Sequence, residues 1–137
     1  MALRLSNYAY GSKRRPGEGL RVGCARLLPR GVKKERYAAQ GHMDVWLPTV
    51  APSQELLSWA RKNNLEDPKI WKTYARRYRG EMSKTDPRQT IRTLAELAKR
   101  TPISVGCYCQ GSHCHRFELE KLIRAAAGDD FPEPDQP

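Results

Sequence analysis

Long apolar runs are missing from the sequence. No stretch approaches the roughly 18 consecutive apolar residues that a membrane-spanning helix needs, and residues 1–5 lack the apolar segment and cleavage site of a secretory signal. We therefore predict a cytoplasmic protein with no membrane partner. Cysteine is also sparse, with 4 in 137 residues, and in that compartment free thiols or metal ligands are expected rather than a disulfide framework.

Acidic residues are scarce as well. The chain has 15 Asp and Glu against 25 Lys and Arg, which gives a net charge of +10. Residues 129–137 are acidic and rich in proline, and we predict that this tail is disordered. The basic remainder favours anionic partners, either nucleic acid or small phosphorylated molecules. A solvated basic surface with no partner is the alternative interpretation.

The length and composition fit one globular domain, which we place at residues 1–128. Apolar residues that alternate with polar ones predict short strands. The predicted strands are Leu3–Tyr8, Leu20–Leu28 and Ile103–Cys109. The first has the character of an edge strand, whereas the other two are strongly apolar and should be neighbours in one sheet.

Helix starts are marked by capping residues, which accept hydrogen bonds from free backbone N–H groups. The first predicted helix is Ser53–Asn63, and Asp67-Pro68 and Asp86-Pro87 each begin another. A last helix is predicted over His113–Ala127, with Gly128 as its stop. With the first and last helices packed against the sheet, the fold class is α/β: a small single domain with a short, mostly parallel sheet flanked by helices.

The densest group of reactive side chains is residues 107–116, Cys-Tyr-Cys-Gln-Gly-Ser-His-Cys-His-Arg. It follows the pattern of a strand, a tight turn and the start of a helix. Ligands of open α/β sheets bind at the carboxyl ends of strands, and a helix N-terminus suits an anion. We therefore predict an anion-binding pocket. Its candidate residues are Ser112 and Arg116, joined by Arg26 and Arg30 at the end of the second strand.

One interpretation of this segment is a reactive thiol. Cys109 and Cys114 could act as nucleophile and resolving thiol, or Cys114 could act with His115 as its base. The helix start and Arg116 should lower the pKa of Cys114, which would make it the fastest-reacting cysteine. The C-x6-R spacing from Cys109 to Arg116 is one residue longer than the phosphate cradle of cysteine phosphatases, which argues against that mechanism.

A metal site is the second interpretation. Cys107, Cys109, Cys114 and His113 offer thiolate and imidazole ligands that suit zinc or iron, with His115 as an alternative ligand. Their spacing does not match a standard zinc knuckle. The third interpretation is structural: Cys107 and Cys109 would be small buried strand residues, and the turn a capped helix start.

Three segments together resemble the YeaO-like domain-of-unknown-function 488 family. They are Arg26-Leu27-Leu28-Pro29-Arg30-Gly31, Ala51-Pro52-Ser53, and Cys109 with His113-Cys114-His115-Arg116. The resemblance covers about residues 3 to 127 and implies a small α/β domain with a short sheet between helices. Members commonly carry Asp at the position of Ala25 and Trp at that of Leu28, so any role of that Asp is missing here.

The resemblance implies no particular reaction, and three functions stay open. The first is an enzyme or redox protein that acts on a phosphate- or carboxylate-bearing molecule. The second is a nucleic-acid-binding module that uses the basic body, and the third is a structural or sensory zinc or iron site.

Overall fold

A four-stranded, all-parallel sheet forms the centre of the computed structural model, which describes residues 3–109 and 113–128. The strands are β1 Leu5–Ala9, β2 Leu20–Gly23, β3 Val45–Trp46 and β4 Ile103–Cys107. Their order is β1-β4-β2-β3, so β2 and β4 are neighbours and β1 is an edge strand. The predicted α/β fold class and the pairing of the two apolar strands are confirmed.

The second strand is shorter than predicted. It ends at Gly23 and not at Leu28, because the backbone N–H of Ala25 donates to the phenol oxygen of Tyr10 at 3.3 Å instead of to a neighbouring strand. A side chain far from β2 in the sequence therefore ends its pairing. Cys24 still donates its backbone N–H to the carbonyl oxygen of Gly106 at 2.8 Å, and residues 25–28 line a cavity.

The described residues also form four α-helices: α1 Gln54–Arg61, α2 Pro68–Met82, α3 Thr85–Arg100 and α4 His115–Ala127. Two predicted caps are confirmed, since the Ser53 hydroxyl accepts from a backbone N–H at 3.0 Å and the Asp67 carboxylate does so at 2.9 Å. None of the helices in these ranges combines the length and apolar character that a bilayer crossing requires.

Two predicted helix starts are wrong. The residue that precedes α3 is Lys84, so Asp86 lies inside the first turn, where a carboxylate still favours the positive end of the helix dipole. Cys114 is the N-cap of α4, which places His113 before the helix and not in it.

The main core lies between the helices and one face of the sheet. Helix α4 packs on β1, β4 and α3, as predicted for the last helix, while α1 packs on α2. Leu56 and Ala60 of α1 reach the same core as Val22 and Val105 of the sheet. Buried apolar side chains from all four helices thus cover this face.

The other face of the sheet is covered by tyrosines that need glycine beneath them. A Cβ atom on Gly106 would lie 2.2 Å from a ring carbon of Tyr8, and one on Gly23 would lie 2.5 Å from the hydroxyl of Tyr10. Both glycines thus allow a close approach that no larger residue permits.

Replacing Gly106 with alanine should lower the free energy of unfolding by about 1 to 3 kcal/mol, because the added methyl group overpacks the contact with Tyr8. Urea denaturation measures the change. Gly80→Ala is the matched control, since a Cβ there meets nothing within 4 Å and alanine favours its helix. Equal stability of Gly106→Ala and the wild type would contradict the close approach.

Candidate functional site

The candidate site is a cavity of about 540 Å³ at the carboxyl ends of β2 and β4. Cys107, Cys109 and His115 line it together with residues from the segment after β2 and from α1 and α2. The strand β4 ends at Cys107 and α4 begins at His115. The cavity thus lies where the sequence pattern placed a ligand, at strand ends next to a helix N-terminus.

Three thiols converge in the site. Cys107 and Cys114 are buried, with Cys114 only 1% exposed, while Cys109 is partly buried and lines the cavity. The thiols of Cys107 and Cys114 are close enough to Cys109 to lower the pKa of its thiol. The cluster can therefore hold one negative charge that two neutral thiols stabilise.

The charge belongs on Cys109, the most exposed of the three. Hydrogen bonds from Cys107 and Cys114 lower the pKa of the Cys109 thiol well below its ordinary value, and the positive charge of Arg116 lowers it further. The hydrogen bond to Cys109 is the main cause that raises the pKa of Cys107, and burial adds to it. Cys109 is thus the thiolate and Cys107 one of its donors.

The prediction that Cys114 has the lowered pKa is wrong. The Cys107 thiol lowers the pKa of Cys114, but the hydrogen bond to Cys109 and burial outweigh that effect and raise it to about 12. Cys114 occupies the N-cap position of α4 without a capping hydrogen bond from its side chain, and its sulfur is buried beside a thiolate. A second negative charge there would be repelled. The helix N-terminus therefore does not lower the pKa of Cys114 overall.

His115 is a neutral imidazole in this cluster. It is 3% exposed, and burial lowers its pKa. Its Nε2 lies 2.8 Å from the carbonyl oxygen of Cys24, so Nε2 carries the hydrogen and donates it. The unprotonated Nδ1 faces Cys114 Sγ at 3.8 Å, where it can accept a proton or bind a cation.

The same atoms form a donor group for a metal ion. The ligand atoms of Cys107, Cys114 and His115 all lie within 4.8 Å of one another. The bond from His115 to the Cys24 carbonyl is the kind of support that orients metal-binding histidines. Two thiolates and an imidazole are ligands that suit zinc, and Cys109 lies beside them.

His113, which the sequence suggested as a ligand, lies elsewhere. Its ring stacks on Trp71 with 4.9 Å between the ring centres, and its Nδ1 is 3.6 Å from a carboxylate oxygen of Glu66. His115 takes its place in the donor group because α4 begins two residues later than predicted.

Arg116 is not among the residues that line the cavity. It stabilises the site through hydrogen bonds to neighbouring residues. It is 6% exposed, its Nε donates to the Asn7 side-chain oxygen at 3.0 Å, and a terminal nitrogen donates to the carbonyl oxygen of Cys109. Arg116 therefore fixes the backbone of Cys109 and places a buried positive charge near its sulfur. This geometry gives it a different role from the predicted direct contact with an anion.

Three arginines give the cavity its charge. The predicted residues Arg26 and Arg30 line it, and so does Arg61 from the last turn of α1. Arg26 is held by the carbonyl oxygens of Pro52 at 2.9 Å and Pro48 at 3.2 Å. No acidic side chain is among the described residues that line the cavity.

Arg61 was not predicted as a site residue, because no local motif marks it and only the packing of α1 brings it to the cavity. The predicted contact Ser112 falls in the segment 110–112, outside the described residues.

Comparison with known proteins assigns the family. Residues 5–127 match the model of DUF488-N3a, described as the active DUF488-N3 subclade. No curated protein and no solved structure matches the chain. Because the match covers nearly all of the sequence, the chain belongs to the DUF488 family, as the resemblance indicated.

Proposed function

We propose that this member of the DUF488 family is a thiol-dependent enzyme in which Cys109 attacks a phosphate- or carboxylate-bearing molecule held in the cavity. The observation that carries the proposal is that Cys109 lines a cavity together with three arginines, while the neighbouring thiols of Cys107 and Cys114 lower its pKa. The description of the matching family as an active subclade fits an enzyme.

The proposed chemistry uses groups already in place. Cys109 is held as a thiolate, so no base has to remove its proton. In the first step its sulfur would form a bond to the carbonyl carbon or the phosphorus, and the leaving group would depart with the electron pair of the broken bond. Water would then cleave this intermediate and return the thiolate. His115 Nδ1 is the available base for the proton that the water loses.

A metal centre is the second candidate function, and the donor group of Cys107, Cys114 and His115 favours it. Zinc or iron bound there would hold Cys107 and Cys114 as thiolates, because the metal competes with their protons. Cys109 would then lose its two hydrogen-bond donors. The two candidates therefore predict opposite reactivity for Cys109 in the protein as purified.

Timed alkylation tests both candidates. In chelator-treated protein at pH 6 we expect iodoacetamide to modify Cys109 at least about tenfold faster than the other three cysteines, because it alone is a thiolate. Cys24 should be the slowest, since burial raises its pKa. Mass spectrometry of the four cysteine peptides over time gives the rates.

The Cys109→Ser variant is the control and should lose the fast phase. If Cys109 reacts no faster than Cys24 in the metal-free sample, the thiol proposal fails. If the fast phase appears only after chelation, and elemental analysis finds zinc or iron before it, the metal centre is supported instead.

A further inference from the structure

We infer that the ligand of this cavity is an anion that carries a sizeable apolar group, such as an aryl or alkyl phosphate or carboxylate. The inference shares the cavity with the proposed function, but it concerns binding alone and does not depend on the reactivity of Cys109. It rests on the combination of a largely apolar wall with three arginines, and no acidic residue is among the described residues of the lining.

Carbon-rich side chains form most of the cavity wall. The lining includes Leu28, Pro52, Leu57, Leu65 and Tyr74. The volume of about 540 Å³ falls in the usual range of small-molecule sites. A small inorganic ion would leave most of this wall in contact with water, and only an apolar group would gain free energy by covering it.

The charges of the lining favour an anion. Arg26, Arg30 and Arg61 all contribute to it. The guanidinium of Arg26 bonds only carbonyl oxygens among its described partners, so its charge is not neutralised there. With no carboxylate among the described lining residues, the arginines favour a negative group on the ligand.

The apolar wall and the arginines are separate features, and each needs a matching group on the ligand. A purely apolar ligand would make no use of the three arginines, and a cationic ligand would be repelled by them. The two features are satisfied together by one molecule whose apolar part lies on the wall of Leu57 and Tyr74 while its anionic group reaches the arginines.

Calorimetric titration of the metal-free Cys109→Ser protein tests this inference without the thiol chemistry. The probes are phenyl phosphate, benzoate, inorganic phosphate and benzyl alcohol. We expect phenyl phosphate or benzoate to bind at least about tenfold more tightly than inorganic phosphate and than benzyl alcohol, because only they use both features. Binding of either anion supports the inference, and the tighter one identifies the preferred anionic group.

Arginine variants locate the binding. Arg30→Gln and Arg61→Gln should each weaken the tighter probe by about threefold or more, and Arg100→Gln, an exposed arginine outside the cavity lining, should leave it unchanged. The inference is overturned if no probe binds, if inorganic phosphate or benzyl alcohol binds as tightly, or if the cavity variants match Arg100→Gln. Fast alkylation of Cys109 together with such a failure would leave the thiol proposal intact, and the reverse result would leave the ligand class intact.

Discussion

Replacing Glu18 with glutamine should lower the free energy of unfolding at pH 7 by about 3 kcal/mol. The Glu18 side chain is 2% exposed and that of Arg21 is 0% exposed. Arg21 donates to both carboxylate oxygens of Glu18, and the Ser104 hydroxyl lies 3.1 Å from one of them. The substitution leaves a fully buried guanidinium without its counter-charge, which is one of the costliest single changes in a folded protein.

The acid dependence of stability gives a second readout for Glu18. Burial alone would raise its pKa, but hydrogen bonds from Arg21 and Arg15 outweigh burial and lower it from 4.5 to about 2. Because the folded pKa is the lower one, the stabilisation is fully present above about pH 4.5 and is lost as the pH falls towards 2. Urea unfolding at several pH values should show a steeper loss in this window for the wild type than for Glu18→Gln.

Glu96→Gln is the matched control. Glu96 pairs with Lys99 at 2.8 Å on the exposed surface of α3, where solvent screens the pair. The urea midpoint of this variant should stay nearly that of the wild type. Equal losses in both variants would show that the burial of the Glu18–Arg21 pair is energetically unimportant.

The buried pair also matters for the shape of the site. Arg21 donates to the carbonyl oxygens of Ser12 at 2.9 Å and Gly41 at 2.6 Å, and its guanidinium lies 4.2 Å from the centre of the Tyr8 ring. It therefore ties two loops to the face of the sheet on which Tyr8 covers Gly106. Since Gly106 directly precedes Cys107, the pair supports the strand that carries the first thiol.

Local signals in the sequence predicted much of this fold. The apolar residues of β2 and β4 indicated both strands and their pairing, because a buried parallel strand needs apolar residues along its length. Ser53 and Asp67 marked helix starts since a capping side chain acts within its own turn. The end of β2 was not predictable in this way, because it depends on the hydroxyl of Tyr10, a residue outside the strand.

The candidate site was only partly predictable, because some of its features depend on contacts between residues that are distant in the sequence. Its thiols lie within one short segment, so their proximity follows from the sequence. The choice of Cys109 as thiolate depends on how deeply each sulfur is buried, and the choice of His115 over His113 depends on where α4 begins. Arg61 joins the site only through the packing of α1.

Removal of the thiol donors should raise the pH midpoint of Cys109 alkylation. In the Cys107→Ala and Cys114→Ala variants Cys109 loses one hydrogen-bond donor, and these bonds are the main causes of its lowered pKa. We expect each loss to move the midpoint up by about one pH unit or more. Below the midpoint, such a shift slows the reaction about tenfold, because the rate follows the thiolate fraction.

Serine at the same positions separates hydrogen bonding from packing. A hydroxyl still donates to the thiolate, so Cys107→Ser and Cys114→Ser should keep the midpoint closer to the wild type than the alanine variants do. Cys24→Ala is the control for the loss of a buried thiol, since Cys24 Sγ donates to the Gly106 carbonyl at 2.9 Å instead of to Cys109. The pH midpoint of Cys109 alkylation should not move in this variant.

The groups that face the Cys109 sulfur from the neighbouring elements are Cys107 on β4, Cys114 at the start of α4, and His115 and Arg116 within it. His115 and Arg116 remain in every variant, so their positive or polar influence is constant across the series. The midpoint belongs to the coupled cluster, and only the number of donors changes it. Equal shifts for alanine and serine would trace the effect to packing, and an unchanged midpoint in both alanine variants would mean that Cys109 is not the thiolate of this cluster.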